Sequence, residues 1–391
     1  DPLEIDPDKQ SVFMKEVEEI PFNPFEPDFI ELGKDFKTKE IAEGVTLVHV
    51  SNPLNDLFGI EVRMGIGSDH DPMLPYLKRM LGRSGAGKIS SEDLKIEWYK
   101  LATDFGFAVR QHYSSFSLNG LDENFEESLG LVEKHLLSPT LLSDTWEKTK
   151  EILLSERDDE QKDPRALSNA LAHFHRYGQD SRFRKRPSDA DLNASTPQNL
   201  GTLITDLLAV NRTILYFGPR SIEEIEKTIL EGFVGQKPTK EAPPISPNRS
   251  FQASRNQVYF LQKEMAQAQV RLEFAVGTYD EEMTPLAQLY NEYFGGGMAG
   301  LVFQELREAR ALAYSAWAHF FTPSRPSEEN VLVGAIGCQA DKTIDAVNAF
   351  MELLDNMPIN QTRWESAHSS ILSTYRTNPS KSRSIPGFVF D

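Results

Sequence analysis

The sequence predicts an α+β protein built as two tandem homologous domains, each a mixed, mostly antiparallel sheet with helices packed on one face. Three observations predict it. Segments in the first half recur in the second at offsets of 210 to 218 residues. Runs with the two-residue period of strands follow one another without an intervening helix, as in a meander. Between these runs lie segments with helical spacing, stopped by prolines at comparable places.

The repeat shows at several points. "GIEVRMGIGSDHD" (Gly59 to Asp71) parallels "AQVRLEFAVGTYDEE" (Ala268 to Glu282), and Gly67 maps to Gly277. "ESLGLVEKHLLSP" parallels "AVNAFMELLDNMP". Each ends at a proline (Pro139, Pro358), and each is followed by a tryptophan near the start of a helix (Trp146, Trp364). In the first repeat the expected order is strands over 45–51 and 57–66, helices over 73–82 and 91–104, and strands over 106–112 and 114–121. Several helices over 125–177, a helix over 197–208, the strand "RTILYFG" and a helix over 221–231 complete it. The second repeat stops 27 residues beyond Trp364, so its closing helix–strand–helix is expected to be missing and the domain C-terminally incomplete.

Four segments follow from this pattern. Residues 1–33 carry ten acidic residues against two basic ones, with five prolines, and are expected to form an extended linker. The first domain spans 34–233. A second linker, "VGQKPTKEAPPISPNRS", covers 234–250. The second domain spans 251–391. The start "DPLEIDPDKQ" lacks the pattern of a signal peptide and begins without methionine, which suggests a fragment of a longer chain.

Composition narrows the function. The 391 residues are 39% hydrophobic and 26% charged, with a net charge of −18. Such a charge repels nucleic acid and anionic lipid, so neither is an expected partner. The single cysteine, Cys338, excludes an intramolecular disulfide. No run of 18 apolar residues marks a membrane span.

The stretch "EYFGGGMAGLVFQELREARALAYS" (Glu292 to Ser315) holds the most pointed signal. Gly295, Gly297 and Gly300 satisfy the G-x-G-x-x-G spacing. The segment before them is helical rather than a strand, and "LAYSAWAHFF" after them ends without an acidic ribose ligand, so the dinucleotide reading fails on context. The glycines instead end one helix and start another. In the second helix Met298, Val302, Leu306 and Ala309 form an apolar stripe, with Arg307 at its edge. Strand alternation puts Tyr314 on a face with Ala316, Ala318 and Phe320, opposite Ser315, Trp317 and His319. From spacing alone, Arg307 is a cation complementing a helix C-terminus and Tyr314 a core residue.

The whole motif resembles the pitrilysin/insulysin (inverzincin) family of zinc metallopeptidases. The match runs from Gly295 through "LVFQELREARALAYS" and departs at Ala299, Gly300 and Leu301, and at Ala311, where glycine is common. "LFGIEVRMGIGSDHD", "WYKLATDFGFAV", "ENFEESLGLVEKHLLSP" and "RTILYFGPRS" resemble the third domain of long, four-domain bacterial members. The resemblance implies the C-terminal, non-metal half of such a protein. The family's zinc helix carries H-x-x-E-H. The aligned "PYLKRML" places Pro75, Lys78 and Arg79 at its functional positions, and the second repeat offers Pro285, Gln288 and Leu289. A proline and two cations cannot ligate zinc. No metal site is expected here, and zinc is expected in an N-terminal half.

His173 and His175 lie at i,i+2 in a helical segment, where side chains diverge by about 200°, and His70 reads as a turn residue. No serine, including those of "SSFS", belongs to a Ser/His/Asp set. The resemblance further implies that Arg307 and Tyr314 face a closed chamber and act on peptide substrate. There the tyrosine would donate to the oxyanion, the arginine would bind substrate, and Gly295, Gly296 and Gly297 would bring backbone close to the peptide. The implied partners are a peptide and a zinc-bearing half, either upstream in the same chain or on a separate homologue. An inactive scaffold subunit is the remaining alternative. Long bacterial members are often exported, which implies the periplasm.

Overall fold

The structure is a computed structural model. It describes residues 11–21, 29–245, 256–323, 325, 328–378 and 381–389. The expected linker at 1–33 contains a short helix, Val12–Glu18, whose N-cap Ser11 accepts a hydrogen bond from the Met14 amide at 3.1 Å. Ser11 supplies a cap and no proline interrupts residues 11–20, so the chain is not extended there. Residues 1–10, 22–28 and 246–255 lie outside the described set, and with them part of both expected linkers.

The first domain carries a six-stranded sheet of β1 (Lys37–Ala42), β2 (Val45–Ser51), β3 (Leu57–Met64), β4 (Asp104–Val109), β5 (Ser114–Leu121) and β6 (Arg212–Gly218). Their spatial order is β1-β2-β6-β3-β5-β4, antiparallel except for the β2–β6 pair. Strand β1 has no sequence signal, because "KTKEIA" is mostly polar and its side chains are largely exposed. The expected strand 106–112 lies earlier, at 104–109.

Helices α1 (Leu74–Leu81), α2 (Ser91–Lys100), α3 (Phe125–Leu137), α4 (Ser143–Glu160), α5 (Pro164–Tyr177), α6 (Pro197–Ala209) and α7 (Ile222–Glu231) account for most of the remainder. Phe58, Ile60, Val62 and Met64 alternate inward from β3 and share a core with Leu77, Phe125, Trp146 and Ile204. The expected helix over 91–104 stops at Lys100. Ala102 turns left-handed there (φ 46°), with Thr103 donating to the Trp98 carbonyl and Ala102 to that of Tyr99.

The second domain has a three-stranded antiparallel sheet of β7 (Gln267–Thr278), β8 (Ser315–Phe321) and β9 (Glu329–Gln339), in the order β8-β9-β7. It is followed by α9 (Thr343–Asp355) and α10 (Gln361–Thr377), and α8 (Met283–Tyr290) sits between β7 and β8. The order repeats β3-β5-β4 of the first domain. Even the register repeats: Ile60 faces Leu118, and the residues 210 and 218 further on, Val270 and Ile336, face each other. The sequence offsets are therefore pairing offsets.

Each domain sends a segment across the other's sheet. Helix α5 packs on β7, where Arg176 makes a two-pronged ion pair with Glu273 (3.0 and 2.9 Å), joined by Arg271 at 3.1 Å and His175 at 3.5 Å. In return the short helix α11 (Ile385–Phe388) packs on β2 and β6, burying Ile385 and Pro386, while Arg383 donates to Asn119 at 2.7 Å. It begins about 220 residues after α5, as the repeat requires.

Two consequences are measurable. Glu273 is buried, which works to raise its pKa. Hydrogen bonds from His175 and Arg176 and the charges of Arg176 and Arg271 overcome that, holding it below the usual range. Glu273→Gln leaves two partly buried guanidinium groups uncompensated and is expected to cost roughly 3 kcal/mol, read as a lowered unfolding free energy in urea. His135 and His173 shift the opposite way for stability at mild acidity. Burial pushes each down to about 4, with Arg182 and Arg176 adding to the effect at His173. Both are neutral in the folded and unfolded chain above about pH 6.5. Below that, the unfolded chain takes up protons that the folded one refuses, so stability falls as pH drops from about 6.5 through about 4, by roughly 3 kcal/mol for His135 alone. Urea titrations across that range check it, and His135→Gln should flatten the slope.

Candidate functional site

The glycine segment follows a helix, as its spacing requires. Helix α8 runs into a wide turn, Asn291–Gly295, that buries Tyr293 and Phe294. The turn lies along the outer edge of β8. Asn291 donates to the Phe320 carbonyl (3.0 Å) and accepts from the Phe320 amide (2.6 Å), satisfying both backbone groups. A side chain on Gly295 would put its Cβ 1.9 Å from the Ala318 carbonyl oxygen, and one on Gly296 would come 2.5 Å from that of Glu292. Gly297 has φ 54°. Close backbone packing thus accounts for Gly295 and Gly296, and the left-handed backbone for Gly297.

The following helix differs from its expected form. It widens into a π-helix over Phe303–Ala309. Leu301, Val302 and Leu306 form the buried stripe, whereas Met298 is 74% exposed and Ala309 is exposed. The i→i+5 geometry rotates the pattern and brings Leu301 in beside Leu306. Arg307 lies half-exposed, over the Phe303 ring at 4.6 Å and 3.5 Å from Glu308.

Tyr314 does not share a face with Ala316, Ala318 and Phe320. Those three are buried, while Tyr314 is 74% exposed. It sits on a bend just before β8, its amide bonded to the Gly337 carbonyl at 2.8 Å, and the alternation begins only at Ser315. Among the described residues its hydroxyl makes no hydrogen bond, and no bond or ion pair joins it to Arg307. Ser315, Trp317, His319 and Phe321 form an exposed row along β8, with Arg271 of β7 over Trp317 at 5.9 Å. Strand alternation had placed Ser315, Trp317 and His319 on this face, as found, but gave them no role. The signal available was an aromatic at every second position on the face that an alternating strand turns outward.

At the positions aligned with the zinc motif, Pro75, Lys78 and Arg79 are exposed on α1, and Arg79 donates to Glu156 of α4 at 2.8 Å. In the second domain, Tyr375 donates to Gln288. These donor sets do not fit a zinc ion. Among the described residues no group of three or more His, Cys, Asp or Glu could hold a metal, and no helix is long and apolar enough to cross a membrane. His70 is a turn residue whose Nδ1 accepts from the Gly67 amide at 3.0 Å. His173 contacts Ser181 (3.2 Å), and His175 faces Glu273.

Ala311 adopts φ 49° after the π-helix, a conformation that suits glycine. Ala311→Gly is expected to stabilise the protein by roughly 0.5–1 kcal/mol, raising the melting temperature by a few degrees in calorimetry.

No curated protein matches the sequence. Residues 209–370 match the family described as the peptidase M16 inactive domain. That span runs from the end of α6 to within α10. A peptidase M16 inactive domain from Pseudomonas fluorescens superposes with a TM-score of 0.72 at 20% identity, covering 91% of this chain and 87% of that one. The periplasmic protease PqqL from Escherichia coli superposes at 0.73 with 13% identity, covering 98% of this chain and 43% of PqqL. The ferredoxin protease FusC, solved in complex with Arabidopsis ferredoxin, superposes at 0.71 with 13% identity, covering 93% of this chain and 44% of FusC. This chain therefore spans less than half the length of those two proteases. These structural likenesses carry the fold, and residues 209–370 carry the match to the peptidase M16 inactive domain, consistent with the non-metal half of a pitrilysin-like protein.

Proposed function

We propose that this chain serves as the non-catalytic half of a zinc metalloendopeptidase, closing a chamber over a peptide bound by a zinc-bearing half. Hydrolysis would take place on that other half, and this chain would contribute groups that hold the peptide and stabilise charge. The observation that carries the reading is Tyr314: an exposed phenol with no hydrogen-bond partner among the described residues, inside the stretch matching the M16 inactive domain.

A phenol that faces open space is free to donate to an oxygen that gains charge during reaction. A donor placed that way contributes a few kcal/mol to the transition state. Arg307 is also accessible, and its one acidic neighbour within ion-pair distance, Glu308, is exposed. It is suited to peptide carbonyls or carboxylates. Gly295–Gly297 shape the turn beside β8, next to the row Trp317, His319 and Phe321, which offers apolar surface to a substrate. PqqL is a periplasmic protease and FusC a ferredoxin protease. By likeness to them we propose an exported location and peptide or small-protein substrates.

The test pairs this chain with a zinc-bearing half, fused or co-expressed, and follows cleavage of a fluorogenic peptide. Tyr314→Phe is expected to lower kcat about 10²–10³-fold with KM and melting temperature little changed. Arg307→Ala is expected to raise KM. An unchanged kcat in Tyr314→Phe would remove the assigned role.

A further inference from the structure

The repeat lets the second sheet be compared with the first, strand by strand. The order β8-β9-β7 matches β4-β5-β3, but in the first domain β3 has a further neighbour. Strand β6 lies between β3 and β2, antiparallel to one and parallel to the other. It is a central strand, with Ile214, Leu215 and Tyr216 all buried. In the second domain β7 stands at the end of its sheet, and among the described residues no strand pairs with its outer edge. In an antiparallel sheet every second residue turns its amide and carbonyl to such an edge.

The side chains record the same difference. Ile60 and Val62 of β3 are 2% and 1% exposed. The residues 210 further on, Val270 and Leu272, are only partly buried. Strand β2, which precedes β3, seals Leu47, Val48 and Val50 to 2% exposure or less. The stretch that precedes β7, residues 256–265, forms no strand, although Val258, Tyr259 and Phe260 are strand formers. There Val258 is 91% exposed and Phe260 78%.

Helix α5 touches both of these stretches, as α11 touches both β2 and β6. Its His175 ring meets that of Tyr259 at 5.1 Å and lies 3.5 Å from Glu273 of β7. Phe174 meets Tyr259 at 5.9 Å, and Lys263 donates to the Gln161 carbonyl, just ahead of the helix, at 3.0 Å. Two flanks and a covering helix thus surround the position that β6 occupies in the first domain. Uncovered apolar flanks beside an open edge are costly in water. An added strand relieves both at once, since its backbone completes the ladder and its side chains cover the flanks. Val270 and Leu272 require apolar residues opposite them, at every second position, as Tyr216 and Ile214 of β6 stand opposite Ile60 and Val62.

We propose that the outer edge of β7 is a strand-receiving site. It takes one extended segment of another polypeptide, antiparallel to β7, about as long as β6 and apolar at every second position. The site includes neither Tyr314 nor Arg307, so its test is separate from that of the proteolytic reading.

The experiment uses the chain as it stands. A fluorescent peptide with the β6 sequence, RTILYFG, and a polar tail is titrated against it, and binding is read by anisotropy. Saturable binding is expected. With peptide bound, hydrogen exchange should slow at amides of β7 and not at those of β8. A peptide with proline in place of Leu215 should bind at least tenfold more weakly, because proline breaks the ladder. The double variant Val258→Ser/Phe260→Ser should also weaken binding about tenfold or more. Both side chains are exposed, so without peptide this variant should melt at the parent temperature. Absence of saturable binding, equal affinity of the proline peptide or of the double variant, or protection confined to β8 overturns the proposal. So does a free chain that sediments as a dimer with β7 already protected, since a second copy then holds the edge.

Discussion

Glu273 is a carboxylate almost sealed from water, and three of the cationic or ionisable groups around it belong to two different domains. Arg271 stands beside it on β7, while Arg176 and His175 come from α5 of the first domain. Removing an ionised carboxylate from water is costly, and only this ring of donors makes it tolerable. The pairing therefore fixes how α5 crosses the second sheet. The crossing of α11 over β2 and β6 is its counterpart in the other direction. The two crossings bring residues of each domain against the sheet of the other, so each sheet has neighbours that its own domain does not supply.

Within that frame the chemistry divides by location. Helix α1, where the resemblance would put a zinc motif, is an amphipathic helix tied to α4 by the Arg79–Glu156 pair. The glycine segment is explained by packing against β8. What stays accessible beyond packing is a short set at the start and along the outer face of β8: Tyr314, Trp317, His319 and Phe321.

Much of this was legible in the sequence, for identifiable reasons. The repeat was readable because Gly67 and Gly277, and the two prolines, mark chain reversals that both domains need, and the same offsets reappear as strand pairing. Strand β1 escaped because a polar edge strand has no buried face to impose a pattern. The stripe through Met298 and Ala309 went astray because a period of 3.6 was applied to a segment that is wound as a π-helix. Spacing alone puts Tyr314 in the core because it extends the alternation one residue before the strand begins, whereas the resemblance puts it on an open face.

The turn beside β8 has one more effect. An outer strand with open amides and carbonyls invites other chains to pair with it, and from there to build sheets without end. Asn291 occupies both polar backbone groups of Phe320, and Gly295 lies flush on the oxygen of Ala318. The chain thus seals its own margin with a fold of its own backbone. A bulkier residue at 295 would lift that seal and, beyond weakening the domain, leave it prone to fibrous self-association.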